Sequence, residues 1–297
     1  MSDSTAASTT GQFQIKNGQI LDPNGNAFTA RGIALDPSLM GASSQILKDF
    51  PGLNFVRLTV YNYDSPDTYA AFINTMTAHG IVVELEDHTS SDGANQGGSR
   101  GTAFTGAQLT NELNWYSSVA KAYATNPYVW FGTDNEPPND GLTAWQQQTY
   151  NAIRDAGNNN PIMLELPGGA YPGDQTATSY GMDPKVYAGM SNILMDVHLY
   201  GWSSNFVADQ PTVNAALTDL VQGAKTFPSA NGAVPVIIGE YGISTDGDTV
   251  DANGNQVLQA AQQSNQTVGA VAFTWSGQGA DTLTDGPCIT EQPPTVV

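Results

Sequence analysis

Two glutamates occupy matching positions just after short apolar runs of the sequence. Glu136 closely follows the apolar run 128–131, and Glu240 closely follows the run 236–238. Short apolar runs bounded by turn residues are typical of buried strands. Pro137 should end the strand that precedes it and hold Glu136 in an extended backbone. Two carboxylates that converge from two strand ends could cleave a glycosidic bond, one protonating the leaving oxygen and the other attacking the sugar or activating water.

Further polar and aromatic side chains lie within or near the ends of other apolar runs. Arg57 lies inside the run 54–60, and a buried arginine requires a carboxylate partner. We expect it either to form a structural salt bridge or to keep a catalytic carboxylate ionised. The other candidates are His88, His198, Tyr200, Trp202 and Trp275. A tryptophan at such a position is either a core residue or, at the mouth of a barrel, a flat platform for a pyranose ring.

The elements that must position these residues alternate along the chain. Apolar runs predict eight strands, at 30–35, 54–60, 81–86, 128–137, 162–166, 193–199, 236–239 and 270–275. Helical patterns fall between them at 43–50, 67–79, 107–123, 142–156, 213–226 and 256–264. Such alternation implies parallel strands with helical crossovers, and eight units in about 250 residues predict an α/β fold of the (β/α)8 TIM-barrel type. The competing architecture, a doubly wound open sheet, usually has fewer strands.

Two Asn-Gly turn signals precede the first predicted strand. Asn17-Gly18 and Asn24-Gly25 flank a short apolar stretch, which predicts a small amino-terminal β-hairpin. Residues 1–11 are rich in Ser, Thr and Ala and are expected to form a flexible tail. The remainder, 12–297, is expected to be a single catalytic domain, because no linker long enough to separate two domains interrupts it.

The charge balance excludes several classes of partner. Nine Lys and Arg stand against 28 Asp and Glu in 297 residues, a formal net charge of −19. Such a surface repels nucleic acid and anionic lipid, whereas a neutral polysaccharide is compatible with it.

No apolar run approaches the roughly 20 residues of a membrane span, and the lone Cys288 allows no intrachain disulfide or thiolate metal cluster. Many carboxylates also suit an acidic medium, where protonation lowers self-repulsion.

Taken in chain order, the motifs resemble those of glycoside hydrolase family 5, a family of cellulases and mannanases with retaining (β/α)8 barrels. The resemblance is carried by Gly25-x-x-Phe28-x-x-Arg31-Gly32, Asn54-x-Val56-Arg57, His88, Asn135-Glu136-Pro137, His198-x-Tyr200, Gly239-Glu240-Tyr241-Gly242 and Trp275-Ser276. An Asn-Glu-Pro triplet alone is a weak signal, but the ordered set is a strong one and spans nearly the whole chain. The stretch 84–87 is more acidic than the family's pattern.

The resemblance implies a role for each matching residue. Glu136 matches the acid/base, and Glu240 matches the nucleophile. Asn135 matches the residue that hydrogen-bonds the sugar 2-hydroxyl. Arg57 and Tyr200 match the partners that keep the nucleophile ionised and oriented. These roles agree with the chemistry, because a nucleophile must be charged and an acid must hold its proton near the working pH.

The remaining matches would line the substrate-binding subsites. His88 and His198 match the histidines of the reactive subsite, and Trp275 matches its stacking platform. Trp202, near a strand end, could form a further subsite. Glu165 ends the fifth predicted strand, where it could line a subsite, although a solvated loop glutamate is the more common outcome.

The function implied is a retaining, endo-acting hydrolase of β-1,4-linked glucan, with β-mannan or xyloglucan as alternative substrates. Its partner would be a β-linked polysaccharide or oligosaccharide; no cofactor, metal, nucleic acid or membrane is expected. We expect a monomer, located outside the cell because of its substrate. A carbohydrate-binding barrel without activity is the contrasting reading, but it would need neither Glu136 nor Glu240. A metal hydrolase using His88 and His198 is disfavoured, since neither lies in a His-x-x-x-His pair.

Overall fold

The computed structural model describes residues 11–89, 103–167, 182–199, 210–241 and 267–275. The chain begins there with an antiparallel hairpin of β1 (Gln14–Lys16) and β2 (Gln19–Leu21). Its two turn residues have positive φ angles, 50° at Asn17 and 77° at Gly18, as a tight hairpin turn of the primed type requires. The predicted hairpin is confirmed. The predicted tail lies almost wholly outside the described residues and stays a prediction.

Eight parallel strands form a closed barrel. In chain order they are β3 (Ala30–Leu35), β4 (Phe55–Val60), β5 (Val82–Asp87), β6 (Val129–Gly132), β7 (Ile162–Glu165), β8 (Ile193–Leu199), β9 (Val236–Tyr241) and β10 (Thr267–Trp275). Each strand pairs with its neighbours in the sequence, and β10 closes the ring against β3. The predicted (β/α)8 TIM barrel is therefore confirmed.

Helices connect the strands on the outside of the ring. They are a 3-10 helix at Pro37–Ala42 and the α-helices α1 (Ser43–Asp49), α2 (Pro66–Ala78), α3 (Gly106–Ala122), α4 (Leu142–Asp155), α5 (Pro184–Tyr187) and α6 (Gln210–Thr226). Helix α5 was not predicted, since a single turn leaves no periodic pattern. The helix predicted at 256–264 lies outside the described residues.

Helix α2 illustrates how the sequence sets these elements. Pro66 opens the helix, where its missing N–H costs nothing. Apolar side chains recur at helical spacing and are buried against the barrel: Tyr69, Phe72, Ile73 and Met76. Gly80, just past the helix, has a φ of 73°, which suits the left-handed residue that ends many helices.

Two apolar clusters divide along the alternation of the strands. In β4, Phe55 belongs to a cluster inside the barrel, whereas Val56 belongs to the larger cluster between the barrel and the helices. Phe13, just before β1, packs into the inner cluster with its ring 5.1 Å from that of Trp130. Apolar residues thus fill the inside of the barrel alongside the hairpin, and the inward residues nearer the carboxyl ends of the strands are polar.

Two strands depart from regular alternation. In the pairing of β8 with β9, Val197 lies opposite Ile238 and His198 lies opposite Glu240, so β9 carries one extra residue. The pairing of β10 with β3 also shifts between Ala272 and Trp275. A bulge of this kind re-aims the side chains that follow it.

Among the helices of the described segments, none is both long and apolar enough to cross a membrane.

Candidate active site

The polar cluster lies inside the barrel, towards the carboxyl ends of the strands. The alternation that turns Phe55 inward also turns Arg57 inward, and the same holds for Glu165 after Met163 and for His198 after Leu194. All of these polar side chains are buried. In barrels of this architecture the carboxyl ends of the strands are where the chemistry takes place.

Glu240 reaches this cluster because of the bulge in β9. Ile237 belongs to the inner cluster and Ile238 to the outer one, so strict alternation would turn Glu240 away from the interior. The extra residue restores the inward direction, and Nη1 of Arg57 donates a short hydrogen bond to Oε1 of Glu240. The expected pairing of Arg57 with a carboxylate is confirmed.

Glu136 lies beyond the end of β6 and reaches the cluster from a loop. Its φ angle is 41°, so the extended backbone expected from Pro137 is wrong. The backbone N–H of Glu136 donates to Oε1 of Glu165 at 2.6 Å, a bond that fixes the unusual conformation. The residue is 8% exposed, and one carboxylate oxygen lies 3.0 Å from Nδ1 of His198.

The two candidate catalytic carboxylates approach each other closely. One oxygen of Glu136 and one of Glu240 lie within 4.8 Å of each other, and both lie within that distance of a ring nitrogen of His198. Carboxyl groups about 5–5.5 Å apart suit direct attack on the sugar, whereas about 6.5–9.5 Å leaves room for a water molecule. The close approach of the two nearest oxygens is compatible with the shorter separation.

Nearby positive charges keep the carboxyl group of Glu240 ionised. Burial by itself raises the pKa of a carboxylate. For Glu240 the positive charges of His198 and Arg57, with a contribution from His88, outweigh burial and lower the pKa below its ordinary value. Glu240 is therefore an anion, as a nucleophile must be.

His198 carries a positive charge in this environment. Burial opposes that charge, but Glu165, Glu240 and the hydrogen bond to Glu136 together raise the pKa of His198 to about 10. The protonated ring donates from Nδ1 to Glu136, and its Nε2 lies 3.0 Å from Oε1 of Glu165. That second contact is an ion pair without hydrogen-bond geometry, since Nε2 makes no hydrogen bond.

More carboxyl groups surround these two cations than they can neutralise. Glu86 lies 3.5 Å from Nη2 of Arg57 and bonds Nδ1 of His88 at 3.0 Å. Asp196 lies 3.9 Å from Nε of Arg57, and burial raises its pKa to about 6. Burial and the charge of Asp196 raise the pKa of Glu84 well above its usual range. We infer that Glu84 is neutral in the folded protein.

His88 is brought to the site together with two aromatic rings. Its ring lies edge-on to Tyr61 at 5.3 Å and is stacked on Phe273 at 6.3 Å with an interplanar angle of 14°. Phe273 packs against the inner cluster and is only partly buried. Phe273 is therefore the aromatic ring that lies beside His88, where the stacking platform was expected to be Trp275.

The predicted stacking platform at Trp275 is wrong. Trp275 is 0% exposed and belongs to the outer cluster, where its ring packs edge-on against Phe50 at 6.3 Å. The shift in pairing between Ala272 and Trp275 is the physical reason, because it turns the side chain from the inside of the barrel to the outside.

Of the remaining predicted residues, Asn135 is part of the site and two cannot be placed. The side-chain oxygen of Asn135 accepts a hydrogen bond from Nη2 of Arg57 at 3.0 Å. Tyr200 and Trp202 lie outside the described residues. The predicted role of Asn135 at the sugar 2-hydroxyl stays a prediction.

Sequence reasoning underestimated Glu165 and missed Phe273. Glu165 is 1% exposed and lies at the centre of the polar cluster, so its interpretation as a solvated loop residue is wrong. The signal that could have identified it is alternation, because Met163 and Glu165 share the inward face of β7. The same signal applies to Phe273, which follows Val271 on the inward face of β10, whereas the shift that turns Trp275 outward leaves no trace in the hydrophobic pattern.

Three clusters in the described segments have the residue types and spacing of metal ligands. Two of them, Glu136 with His198 and Glu240, and Glu165 with Asp196 and His198, belong to the network around Arg57. The third, of Asp87, Glu112 and Asp134, is hydrogen-bonded by Tyr63 and Trp145. The chemistry derived from the carboxylate pair requires no metal.

Comparison with known proteins gives a consistent result. The model of the cellulase family, glycosyl hydrolase family 5, matches residues 21–279. A mannan endo-1,4-β-mannosidase from Streptomyces lividans is 25% identical over 295 residues, which cover 92% of this chain and 68% of that protein. Endoglucanase EG-II from Hypocrea jecorina is 26% identical over 227 residues, which cover 71% of this chain and 50% of that protein.

A solved structure supports the fold. The crystal structure of a β-mannanase from Streptomyces thermolilacinus with mannohexaose has a TM-score of 0.66 and 22% identity, covering 92% of this chain and 88% of that one. The chain spans between 50% and 68% of the length of the two curated relatives. Because the family model matches most of the sequence, the chain belongs to the cellulase family, glycosyl hydrolase family 5.

Proposed function

We propose that this protein is a retaining, endo-acting glycoside hydrolase that cleaves a β-1,4-linked polysaccharide, either a glucan or a mannan. The observation that carries the proposal is the approach of one oxygen of Glu136 to within 4.8 Å of one oxygen of Glu240. The lowered pKa of Glu240 supports its role as nucleophile. Glu136, which is somewhat more exposed than Glu240, is then the acid/base.

The reaction follows in two displacements. In the first, the Glu240 carboxylate attacks the anomeric carbon while Glu136 gives its proton to the departing glycosidic oxygen. Glu240 loses its negative charge on forming the ester, and Glu136 can then act as the base that removes a proton from water. Water attacks the anomeric carbon, Glu240 leaves, and the configuration of the sugar is retained.

Several neighbours have supporting roles in this proposal. Arg57 holds Glu240 ionised and also occupies the side-chain oxygen of Asn135, so Asn135 would meet the sugar 2-hydroxyl through its amide nitrogen. Phe273, stacked on His88, would offer an apolar face to a pyranose ring. We retain Tyr200 and Trp202 as proposed substrate-binding residues.

The proposal includes both glucan and mannan because of the relatives of this chain. The sequence was interpreted as a glucan hydrolase, but the relatives described above include both a mannan endo-1,4-β-mannosidase and an endoglucanase. Either polymer is too large to cross a membrane. We therefore propose that the protein acts outside the cell, and we retain the proposal that it is a monomer.

A product profile tests the proposal. Purified protein would be incubated with β-mannan, carboxymethyl cellulose, mixed-linkage glucan and xyloglucan, and the anomeric protons of the first products followed by NMR. We expect short oligosaccharides from one of the first three polymers, initially as the β-anomer. Glu240→Gln should lower the rate by on the order of 10³-fold or more. Near-normal hydrolysis by that variant would contradict the assignment.

A further inference from the structure

We propose that Glu165 is a positioning residue that holds the proton donor, the nucleophile and the histidine between them in one arrangement; this role depends on the function proposed above. Three groups converge on its carboxylate. Oε2 accepts a hydrogen bond from Nη2 of Arg57 at 3.0 Å, and Oε1 accepts one from the backbone N–H of Glu136 at 2.6 Å. Nε2 of His198 lies 3.0 Å from the same Oε1.

The two cations that contact Glu165 also contact the proposed catalytic carboxylates. Arg57 donates through its other terminal nitrogen to Glu240. His198 lies between the two acids, with Nδ1 3.0 Å from an oxygen of Glu136 and 3.5 Å from an oxygen of Glu240. Glu165 is therefore the one described carboxylate that contacts both cations of the site and also the backbone of the proton donor.

The backbone of Glu165 is itself held on both sides. Its N–H donates to the hydroxyl of Thr133 at 2.9 Å, and its carbonyl oxygen accepts from Nε2 of Gln146 at 2.8 Å. Gln146 in turn accepts a hydrogen bond from the hydroxyl of Tyr187 at 2.8 Å. A side chain anchored in this way can transmit a fixed geometry to the groups that it binds.

The bond to Glu136 explains a local conformation that the sequence disfavours. Residues other than glycine seldom have positive φ, and Glu136 has a φ of 41°. The hydrogen bond from its N–H to Glu165 holds the backbone in this state and directs the side chain towards His198. Without that acceptor, we expect the loop after β6 to relax and the proton donor to move.

Charge and burial agree with the positioning role rather than with sugar binding. Glu165 is 1% exposed, and both oxygens are already engaged. Burial raises the pKa of Glu165 well above its ordinary value, although the charges of His198 and Arg57 oppose that rise. Unlike the oxygens of Glu84, however, both oxygens of Glu165 accept hydrogen bonds, one from a cation and one from a backbone N–H, and such bonds favour the ionised form. Burial lowers the pKa of His198, and among the effects that raise it the charge of Glu165 is the largest.

The first test compares Glu165→Gln with Glu84→Gln. Both remove a buried barrel carboxylate, but no hydrogen bond joins Glu84 to Arg57, Glu136 or His198. We expect Glu165→Gln to lower kcat on the oligosaccharide substrate by about 10- to 100-fold, because small displacements of reacting groups are costly, with KM changed less than about threefold. Glu84→Gln should keep kcat within about threefold of the parent.

The kinetic outcomes separate the alternatives. An unchanged kcat in Glu165→Gln would overturn the proposal, and so would a loss confined to KM, which would make Glu165 a substrate ligand. A larger loss on a natural linkage than on a dinitrophenyl glycoside, whose leaving group needs no acid, would support control of Glu136. If Glu165→Gln does not fold, Glu165→Asp, which shortens the side chain and keeps its charge, is measured in the same way.

A second measurement does not depend on hydrolysis. The sequence has three histidines, so their ring protons can be followed individually by NMR titration. The pKa of His198 should be well above neutral in the parent and should fall by at least one unit in Glu165→Gln, with little change in Glu84→Gln. No fall would overturn the proposed contact. If His198 behaves as expected but the parent hydrolyses none of the four polysaccharides, the proposed function fails while the arrangement around Glu165 stands.

Discussion

At the scale of single residues, the site shows how position gives two buried carboxyl groups opposite pKa shifts. Glu240 and Asp196 are both buried acids near Arg57, yet the pKa of Glu240 is lowered whereas that of Asp196 is raised to about 6. The difference follows from contact with the cations, because Nδ1 of His198 lies 3.5 Å from an oxygen of Glu240 and Arg57 donates a hydrogen bond to Glu240, whereas Arg57 lies 3.9 Å from Asp196. The residue ionised by this arrangement is the one assigned as nucleophile.

Arg57→Lys tests this contact. A lysine has a point charge and no planar fork, so it cannot bind Glu240, Asn135 and Glu165 together. We expect kcat/KM to fall about 100-fold and the acid limb of its pH profile to move to higher pH, as the pKa of Glu240 rises. The free energy of unfolding should fall by about 1–3 kcal/mol.

The matched control is Arg154→Lys. Arg154 is partly buried, and it donates to backbone carbonyls that include Asn160 and Ser191, away from the site. The same substitution there should destabilise the fold by a similar amount and leave kcat/KM unchanged. An unshifted acid limb in Arg57→Lys would contradict the role assigned to Arg57.

Phe273 and Trp275 give a second prediction at this scale. Phe273→Ala should raise KM for an oligosaccharide about 2- to 12-fold, the range expected from the loss of an aromatic contact of about 0.5–1.5 kcal/mol, with a small effect on unfolding. Trp275→Phe should do the reverse, leaving KM unchanged and costing about 1–3 kcal/mol of stability, because it leaves a cavity in the outer cluster. Steady-state kinetics and denaturant unfolding of both variants would check this, and the opposite pattern would restore Trp275 as the platform.

At the scale of elements, the sequence predicted the positions of the strands well. It did not predict which side chains of β9 and β10 face the inside of the barrel. The strands 30–35 and 193–199 have the predicted bounds. Hydrophobic runs identify a strand because both faces of a barrel strand are buried. They do not reveal the extra residue in β9 or the shift in β10, which depend on pairing with neighbouring strands. Those two irregularities decide that Glu240 faces the interior and that Trp275 does not.

Gly239→Ala tests the bulge in β9. A methyl group on Gly239 would overlap the carboxylate of Asp196, and neither strand can move far within a closed barrel. We expect a loss of about 1–3 kcal/mol in the free energy of unfolding and a fall in kcat, since the adjacent Glu240 would shift. Denaturant unfolding and steady-state kinetics would measure both.

Gly189→Ala provides the control for that substitution. No atom lies within 4 Å of the methyl group that it would add, so its stability should change by less than about 0.5 kcal/mol. Equal stability of the two variants would show that Asp196 does not approach Gly239 as described.

At the scale of the whole molecule, the many carboxyl groups make the stability of the fold depend on pH. The chain has a formal net charge of −19, and the site adds buried carboxyls that two cations cannot neutralise. The acidic composition was evident from the sequence, but the burial of Glu84 and Asp196 was not, because carboxylates are seldom buried. Which acids enter the barrel depends on the alternation of strands, and which are neutral depends on distances to Arg57 and His198.

Stability should therefore be greater in mild acid than at neutral or alkaline pH. Asp196 has a pKa raised from 3.8 to about 6, so its contribution is complete below about 3.8 and is lost as the pH rises through 6. His198 acts in the same direction at higher pH, since its contribution is complete below 6.5 and is lost as the pH rises through about 10. Glu240 acts oppositely, because its lowered pKa contributes stability that disappears in strong acid.

The measurement is the free energy of unfolding as a function of pH. We expect it to rise as the pH falls from about 8 to about 5, and to fall again in stronger acid. Glu84→Gln, which replaces a neutral acid by a neutral amide, should raise stability at pH 8 and flatten the dependence. Stability that declines steadily from pH 7 to pH 4 would contradict this account.

The central claim is that Glu240 attacks the sugar and Glu136 supplies the proton. It is tested most directly by trapping the covalent intermediate with a 2-deoxy-2-fluoro glycosyl fluoride of the preferred substrate, followed by mass spectrometry of the intact protein and its peptides. The account predicts a single sugar adduct on Glu240, absent in Glu240→Gln and retained in Glu165→Gln. An adduct on Glu136 or Glu165, or hydrolysis that continues with inversion and no adduct, would contradict it.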